Sequence, residues 1–294
     1  MNRPTVKHWI MAFRPKTLTA AVAPVLVGTA MAFGDGLSHF PTAILCLLTA
    51  LLIQIGTNLA NDYYDYKKGT DAADRIGPVR VTQSGLIQPQ TVKWAFIVVF
   101  ALSMVCFLIL VIRGGWSIAV LGIVSILSGI FYTAGPRPLG YVGLGDLFVL
   151  VFFGPVAVGG TYYLQAIELN YAVVLAGLGP GLISMAILAV NNYRDIESDR
   201  RSGKKTLAVR FGRTFAQYEY AGAILLAAML PVIIYLLIHD HVFILYASSV
   251  GLISLPGIKA VFSSVEGPIL NKTLAFTGVV LLVYSVLFSI GWIR

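Results

Sequence analysis

Charge is scarce in this sequence. Of 294 residues, 12% are Asp, Glu, Lys or Arg, about half the roughly 25% of a soluble globular domain. That shortage excludes a soluble domain with an ordinary polar coat. Cysteine is scarce as well. Cys46 and Cys106 both lie inside apolar runs, which excludes a disulfide framework and a thiolate metal site and leaves two small core residues. No P-loop, dinucleotide fingerprint or zinc signature occurs. The N-terminal stretch "MNRPTVKHWIMAFRPKTLTA" lacks a charged, apolar and cleavage-site succession, so no removed signal peptide is expected. His8, His39, His239 and His241 show no ligand spacing with the acids, and Glu168 stands alone; none is assigned a role.

What the chain has instead is apolar length. Hydrophobic residues make up 57% and mean hydropathy is +0.83. Nine apolar runs can be counted, at roughly 17–34, 41–61, 92–112, 115–134, 142–165, 171–192, 217–238, 242–263 and 273–293. Each is close to the ~20 residues that cross a bilayer core as a helix, the conformation that satisfies its own backbone groups in lipid. The expectation is an all-α, polytopic membrane protein with about nine transmembrane helices, forming a single domain over residues 1–294.

Loop charge predicts the orientation. If the N-terminus is cytoplasmic, 19 of the 21 Lys and Arg residues fall inside, with Arg113 and Arg294 outside, as the positive-inside rule requires. The net charge of +8 is thereby a topology signal. Spread over loops between spans, it is not a nucleic-acid footprint. Ten of the thirteen acids also gather at the inner face, which the rule does not explain, since it gives acids little weight.

Two clusters hold most of those acids. The first is "NDYYDYKKGTD", Asn61–Asp71, which follows the uncharged "ILCLLTALLIQIGTNLA". Asn58, Asp62 and Asp65 stand at i, i+4, i+7, and Asn61 with Asp65 at i, i+4, so they share a helical face; Gly69 is placed to end the helix. The second cluster is Asn191, Asp195 and Asp199 at i, i+4, i+8. "NDYYD" and "NNYRD" align at a shift of 130 residues, a weak repeat that suggests two similar four-helix halves plus a ninth helix.

Like charges at i, i+4 repel, and a helix C-terminus is the wrong end for anions. A cation reverses both costs. Carboxylates and amide oxygens are hard ligands that suit Mg²⁺, which completes its shell with water and substrate phosphate. Two facing clusters would hold two or more Mg²⁺ around a diphosphate. The alternative is that these are solvated loop acids balancing a basic surface. Lys67, Lys68, Arg75, Arg80, Lys204 and Lys205 follow the acids in sequence and could complete the diphosphate contacts. So could Arg137, held between two prolines in "AGPRPLG". A cation-coupled transporter would also place acids on helices and show a repeat, but near the membrane midplane.

"NDYYDYKKGTD" and "NNYRDIESDRRSGKKTLAVRFG" resemble the two Asp-rich motifs of the UbiA superfamily of intramembrane aromatic prenyltransferases. "GTDAADRIGPVRVTQSGLI" and "FYTAGPRPLGYVGLGD" are similar to the branch whose acceptor is 1,4-dihydroxy-2-naphthoate, in menaquinone biosynthesis. The resemblance implies nine transmembrane helices around a central cavity open to the cytoplasmic side, in a bacterial cell membrane. It implies Mg²⁺ as cofactor, held by Asp62, Asp65, Asp195 and Asp199, with Asp71 as a further ligand. It implies polyprenyl diphosphate and the naphthoate as substrates, the lipid bilayer as surroundings, and no nucleic-acid partner. Asn58, Asn61 and Asn191 would orient metal or diphosphate, and Arg137, Lys67, Lys204 and Lys205 would contact diphosphate. Tyr63, Tyr132 and Tyr193 would line the site. Another acceptor, such as 4-hydroxybenzoate, is the nearest alternative.

Overall fold

The computed structural model describes residues 4–69, 77 and 79–294. Among these residues every regular element is helical. A short helix α1 (Val6–Phe13) precedes α2 (Pro15–Gly34), α3 (Phe40–Lys68), α4 (Pro89–Gly114) and α5 (Trp116–Phe131). Then come α6 (Gly145–Ala166), α7 (Tyr171–Arg194), the six-residue α8 (Ile196–Arg201), α9 (Leu207–Ile238), α10 (Val242–Ser263) and α11 (Gly267–Ile293). Among the described residues, eight of these helices are long and apolar enough to cross a membrane, and α5 is apolar but shorter, at 16 residues. The apolar run read as 115–134 stops early for a local reason. Gly135 takes φ +84° between Phe131 and the prolines Pro136 and Pro138, and neither feature continues a helix.

Helix ends follow from side-chain chemistry. Proline opens α2, α3, α4 and α11 within the first two positions, where its missing N–H costs nothing. Asn170 and Thr206 cap α7 and α9 by accepting from Val173 N and Val209 N. Gly69 closes α3 in the left-handed region at φ +65°, its N–H returning to Asp65 O and Tyr66 O.

Two apolar cores build the bundle. One joins α1, α3, α4 and α5; the other joins α7, α9, α10 and α11; α2 and α6 contribute to both. Helices α6 and α7 cross on glycine. A Cβ on Gly177 would lie 2.7 Å from Pro155 Cα, and one on Gly181 would run into Leu150 O. The pair has the spacing that lets membrane helices approach closely. Opposite them α6 carries a π-helical turn, Phe152–Val156. At the end of the bundle remote from the acids, Asp35 accepts from Tyr162 Oη at 2.7 Å and from Trp292 Nε1 at 2.9 Å, tying α2, α6 and α11 together. Arg113 donates to the carbonyls of Leu164 and Gln165 at 2.6 and 2.8 Å, satisfying orphan carbonyls at the C-terminus of α6.

Candidate active site

One long cavity, of about 700 Å³, runs between the helices. Along α3 it is lined by Cys46, Thr49, Ala50, Ile53, Gln54, Thr57, Asn58, Asn61 and Asp65, the i, i+3/i+4 stripe of one helical face. From Cys46 to Asp65 that face is about 28 Å long at 1.5 Å per residue. The end near Cys46 is closed in by Phe107, Leu110, Leu121 and Leu164 and is apolar. The other end gathers Arg14, Asn58, Asn61, Asp65, Arg80, Asn191, Asn192, Arg194, Asp195, Asp199, Lys204 and Asn271. A charged mouth therefore opens into an apolar channel, and mouth and channel together are nearly as long as a bilayer core is thick.

Each acid in the mouth is held by a base. Asp65 Oδ2 accepts from Arg80 Nη2 at 2.9 Å, and its Oδ1 accepts from Tyr141 Oη at 2.7 Å. Asp195 is gripped by the preceding residue, Arg194. Asp199 Oδ1 lies 3.6 Å from Lys204 Nζ. Burial pushes the Asp199 carboxyl up to about 6; Lys204 opposes the shift, and the negative charges of Asp195 and Asp65 add to it. Asp65 ends α3 and Asp199 follows α7, so the two acidic motifs feel one another across the cavity.

The amides are set as firmly. Asn58 Nδ2 donates to Phe13 O at 3.0 Å and Thr17 Oγ1 at 2.9 Å, locking the α1–α2 corner against α3. Asn61 Oδ1 accepts from Thr133 Oγ1 at 2.8 Å. Asn191 Oδ1 accepts from Arg194 Nη2 at 2.8 Å. The second motif is not one continuous helix: α7 ends at Arg194, Asp195 sits at φ −97°, ψ 9°, and α8 begins after it. The bond from Asp199 N to Asp195 O, 2.8 Å, keeps the i, i+4 relation across that break.

The cavity thus brings together Asn58, Asn61, Asp65, Tyr132, Asn191, Asp195, Asp199 and Lys204 of the residues expected from sequence. Asp62 is buried just behind the wall, with Thr82 N donating to its Oδ2 at 3.4 Å. Tyr63 packs on Tyr64 and Phe96, away from the cavity. Tyr193 Oη donates to Ser264 O. Lys67, Arg137 and Lys205 are exposed and line no part of it. Asp71 lies outside the described residues, as does Arg75. Asn192, which the sequence places three residues before Asp195 on the same face, lines the cavity too. Sequence reasoning missed Tyr141, Arg194 as a site residue, Asn271 and Arg14; Asn271 carries no local signal, since its contact with Arg194 spans 77 residues.

The donor set suits Mg²⁺. It consists of carboxylate and amide oxygens, and Asp62 Oδ1 is buried with no hydrogen-bond partner among the described residues, an orphan that calls for one. Among the described residues no three His, Cys, Asp or Glu side chains converge into a metal cage. Mg²⁺ takes one or two carboxylates and completes its shell with substrate phosphate and water.

The profile of the UbiA prenyltransferase family matches residues 21–276. A 1,4-dihydroxy-2-naphthoate octaprenyltransferase of Haemophilus influenzae is 37% identical over 97% of this chain and 96% of its own. Its counterpart in Escherichia coli is 44% identical over 79% of this chain and 77% of its own. The solved structure of a UbiA homolog from Archaeoglobus fulgidus bound to GPP and Mg²⁺ superposes with a TM-score of 0.66 at 17% identity, covering 96% of this chain and 99% of that one; it shows the shared fold.

Proposed function

The chain belongs to the UbiA prenyltransferase family, and we propose that it transfers a polyprenyl group from polyprenyl diphosphate to 1,4-dihydroxy-2-naphthoate. Diphosphate and CO₂ leave, and demethylmenaquinol forms. The observation that carries this reading is the cavity itself: a mouth of paired acids and bases continuous with a long apolar channel. Such a space suits a ligand with a diphosphate head and a hydrocarbon tail. The two bacterial relatives, whose names give the naphthoate as acceptor, support the choice of acceptor.

Asp62, Asp65, Asp195 and Asp199, with Asp71, would hold Mg²⁺, which when bound supplies positive charge against the departing diphosphate. Lys204, Arg80 and Arg194 add fixed positive charge at the same mouth, where low dielectric strengthens it. Asn58, Asn61 and Asn191 present amides whose orientation is already fixed by their neighbours. Tyr132 offers an aromatic face beside the mouth, able to stabilise an adjacent allylic cation. The apolar wall beyond it excludes the water that would quench that cation.

The acceptor ring attacks through the carbon that bears its carboxylate. The allylic C–O bond to diphosphate breaks first, its electrons leaving with diphosphate, and the new C–C bond then forms to the resulting allylic cation. The carboxylate then leaves as CO₂, and the electrons of its C–C bond restore the aromatic ring, so no external oxidant or base is needed. The tailed product leaves sideways between helices into lipid. We place the N-terminus and the mouth on the cytoplasmic side of a bacterial cell membrane, because 19 of 21 basic residues then face inward. We also read residues 1–294 as one domain with two related halves, whose acidic motifs end α3 and α7.

The test is transfer by the purified protein in detergent. Labelled polyprenyl diphosphate is supplied with 1,4-dihydroxy-2-naphthoate or 4-hydroxybenzoate, and with Mg²⁺ or EDTA. Mg²⁺-dependent product and CO₂ from the naphthoate alone is the expected result. Product from 4-hydroxybenzoate alone would keep the family and overturn the acceptor. No transfer to either acceptor would overturn the reaction.

A further inference from the structure

We propose that Tyr141 is a positioning residue that holds the two acidic motifs in register. The proposal rests on the metal and diphosphate reading of the mouth. Tyr141 ends the short 3-10 turn Leu139–Tyr141 and touches three separate segments. Its hydroxyl donates to Asp65 Oδ1 at 2.7 Å, at the end of α3. Its carbonyl accepts from Lys205 N at 2.8 Å, in the segment that follows the second motif. Its ring lies beneath two ammonium groups, Lys68 Nζ at 4.6 Å and Lys204 Nζ at 4.8 Å from the centroid.

Each contact has a physical consequence. With Arg80 on Oδ2 and Tyr141 on Oδ1, the Asp65 carboxylate has a donor on both oxygens and a fixed plane. A carboxylate oxygen accepts along more than one lone-pair direction, so the Tyr141 hydroxyl orients the group without exhausting its acceptor capacity. Hydrogen bonds behind a metal-binding carboxylate orient it, and their loss typically weakens metal binding by about 10–100-fold. The ring does a different job. Lys68 belongs to the first motif and Lys204 to the second, and like charges separate unless something holds them. An aromatic face attracts both. Lys68 is anchored further by Thr133 O at 2.7 Å, and Lys204 stands 3.6 Å from Asp199. The phenol therefore joins a carboxylate of one motif to a lysine of the other. No residue but tyrosine offers both a hydroxyl and an electron-rich ring face at that distance.

The experiment separates hydroxyl from ring by measuring binding, not turnover. Full-length wild type, Tyr141→Phe and Tyr141→Leu, purified in detergent, are titrated with geranyl diphosphate by calorimetry at stepped Mg²⁺, without acceptor. For Tyr141→Phe the Mg²⁺ midpoint should rise about 10–100-fold, with wild-type affinity recovered at saturating Mg²⁺. Tyr141→Leu should show the same shift and stay weak at saturating Mg²⁺, because the lysines separate. A Tyr141→Phe midpoint equal to wild type overturns the proposal. So does a Tyr141→Phe protein that stays weak at all Mg²⁺ concentrations, which marks a merely structural role. Wild type whose binding ignores Mg²⁺ overturns the metal reading and the proposal with it. Wild type that binds as expected but does not prenylate the naphthoate overturns the acceptor alone.

Discussion

Arg194 and Asp195 are consecutive in the chain and joined by two hydrogen bonds, Nε to Oδ1 at 2.7 Å and Nη2 to Oδ2 at 2.6 Å. The same guanidinium reaches Asn271 Oδ1 at 2.6 Å and Asn191 Oδ1 at 2.8 Å. Both side chains are nearly buried. A fork of this kind is strong and directional, and here it fixes the second motif exactly where α7 ends.

That pairing decides how Asp195 should be tested. Asp195→Ala strands a buried guanidinium, and breaking a buried pair costs about 3–5 kcal/mol, so lost activity would be confounded with lost folding. Asp195→Asn keeps the shape and an acceptor oxygen while removing the charge. Transfer by Asp195→Asn should fall at least about 100-fold, with the thermal midpoint lowered less than in Asp195→Ala. Near-normal turnover in Asp195→Asn would remove Asp195 from the metal-binding set.

Asp199 gives a pH dependence whose sign can be worked out. Burial raises its carboxyl to about 6. Below that pH the carboxyl is protonated and cannot serve a cation; above it the site is ionised and ready. The Mg²⁺ concentration for half-maximal transfer should therefore climb as pH falls through 6, by about tenfold per unit if one proton competes with the ion. A profile unchanged between pH 5 and pH 8 would contradict the role of Asp199. Asp199→Asn should remove this part of the slope.

The α6–α7 crossing predicts a sharp contrast between two glycines. In Gly177→Ala the new Cβ meets Pro155 Cα at 2.7 Å, Pro155 N at 2.8 Å and Gly154 C at 3.0 Å, all backbone. Backbone cannot step aside, and overpacking of this kind costs about 1–3 kcal/mol. Gly222→Ala, in α9, meets nothing within 4 Å, and alanine is the better helix former by about 1 kcal/mol. Thermal unfolding in detergent should show a lowered midpoint for the first and an unchanged or raised one for the second.

Eight of the nine spans, and the helical placement of Asn58 and Asp65 along one cavity wall, were legible because both depend on local periodicity. Long apolar runs have one solution in lipid, and i, i+4 spacing puts Asn58 near Asp62 and Asn191 near Asp195 whatever the tertiary fold. The π turn at Phe152–Val156 was not legible, since it answers to the packing of Gly154 on Gly177 and Gly181. Nor was Tyr141, whose partner Asp65 lies 76 residues away. Arg194 reads from sequence only as a topology charge, because nothing local says that it turns back on its own neighbour. Arg137 reads from sequence as a phosphate contact in a stiff loop, yet its side chain points to solvent while Pro138 beside it is buried. Loop stiffness fixes the backbone and leaves open which residue faces inward.

The depth of the channel gives the last prediction. Gly160, on α6, lines the deep part of the cavity, and a Cβ placed there would rest 3.6 Å from Leu121 Cδ2, in ordinary contact. Gly160→Phe would therefore project a ring into the channel from a position that tolerates a side chain. The mouth, with Asp65, Asp195 and Lys204, lies at the other end and is untouched. A short donor such as geranyl diphosphate keeps its head in the mouth and its tail clear of the ring. A long polyprenyl donor must displace the ring or leave its tail elsewhere. The ratio of transfer from short to long donors should rise at least about tenfold in Gly160→Phe, the change produced by ~1.4 kcal/mol of differential binding. Equal loss with both donors would place the prenyl tail outside this channel and point to a path along the lipid-facing side of the bundle.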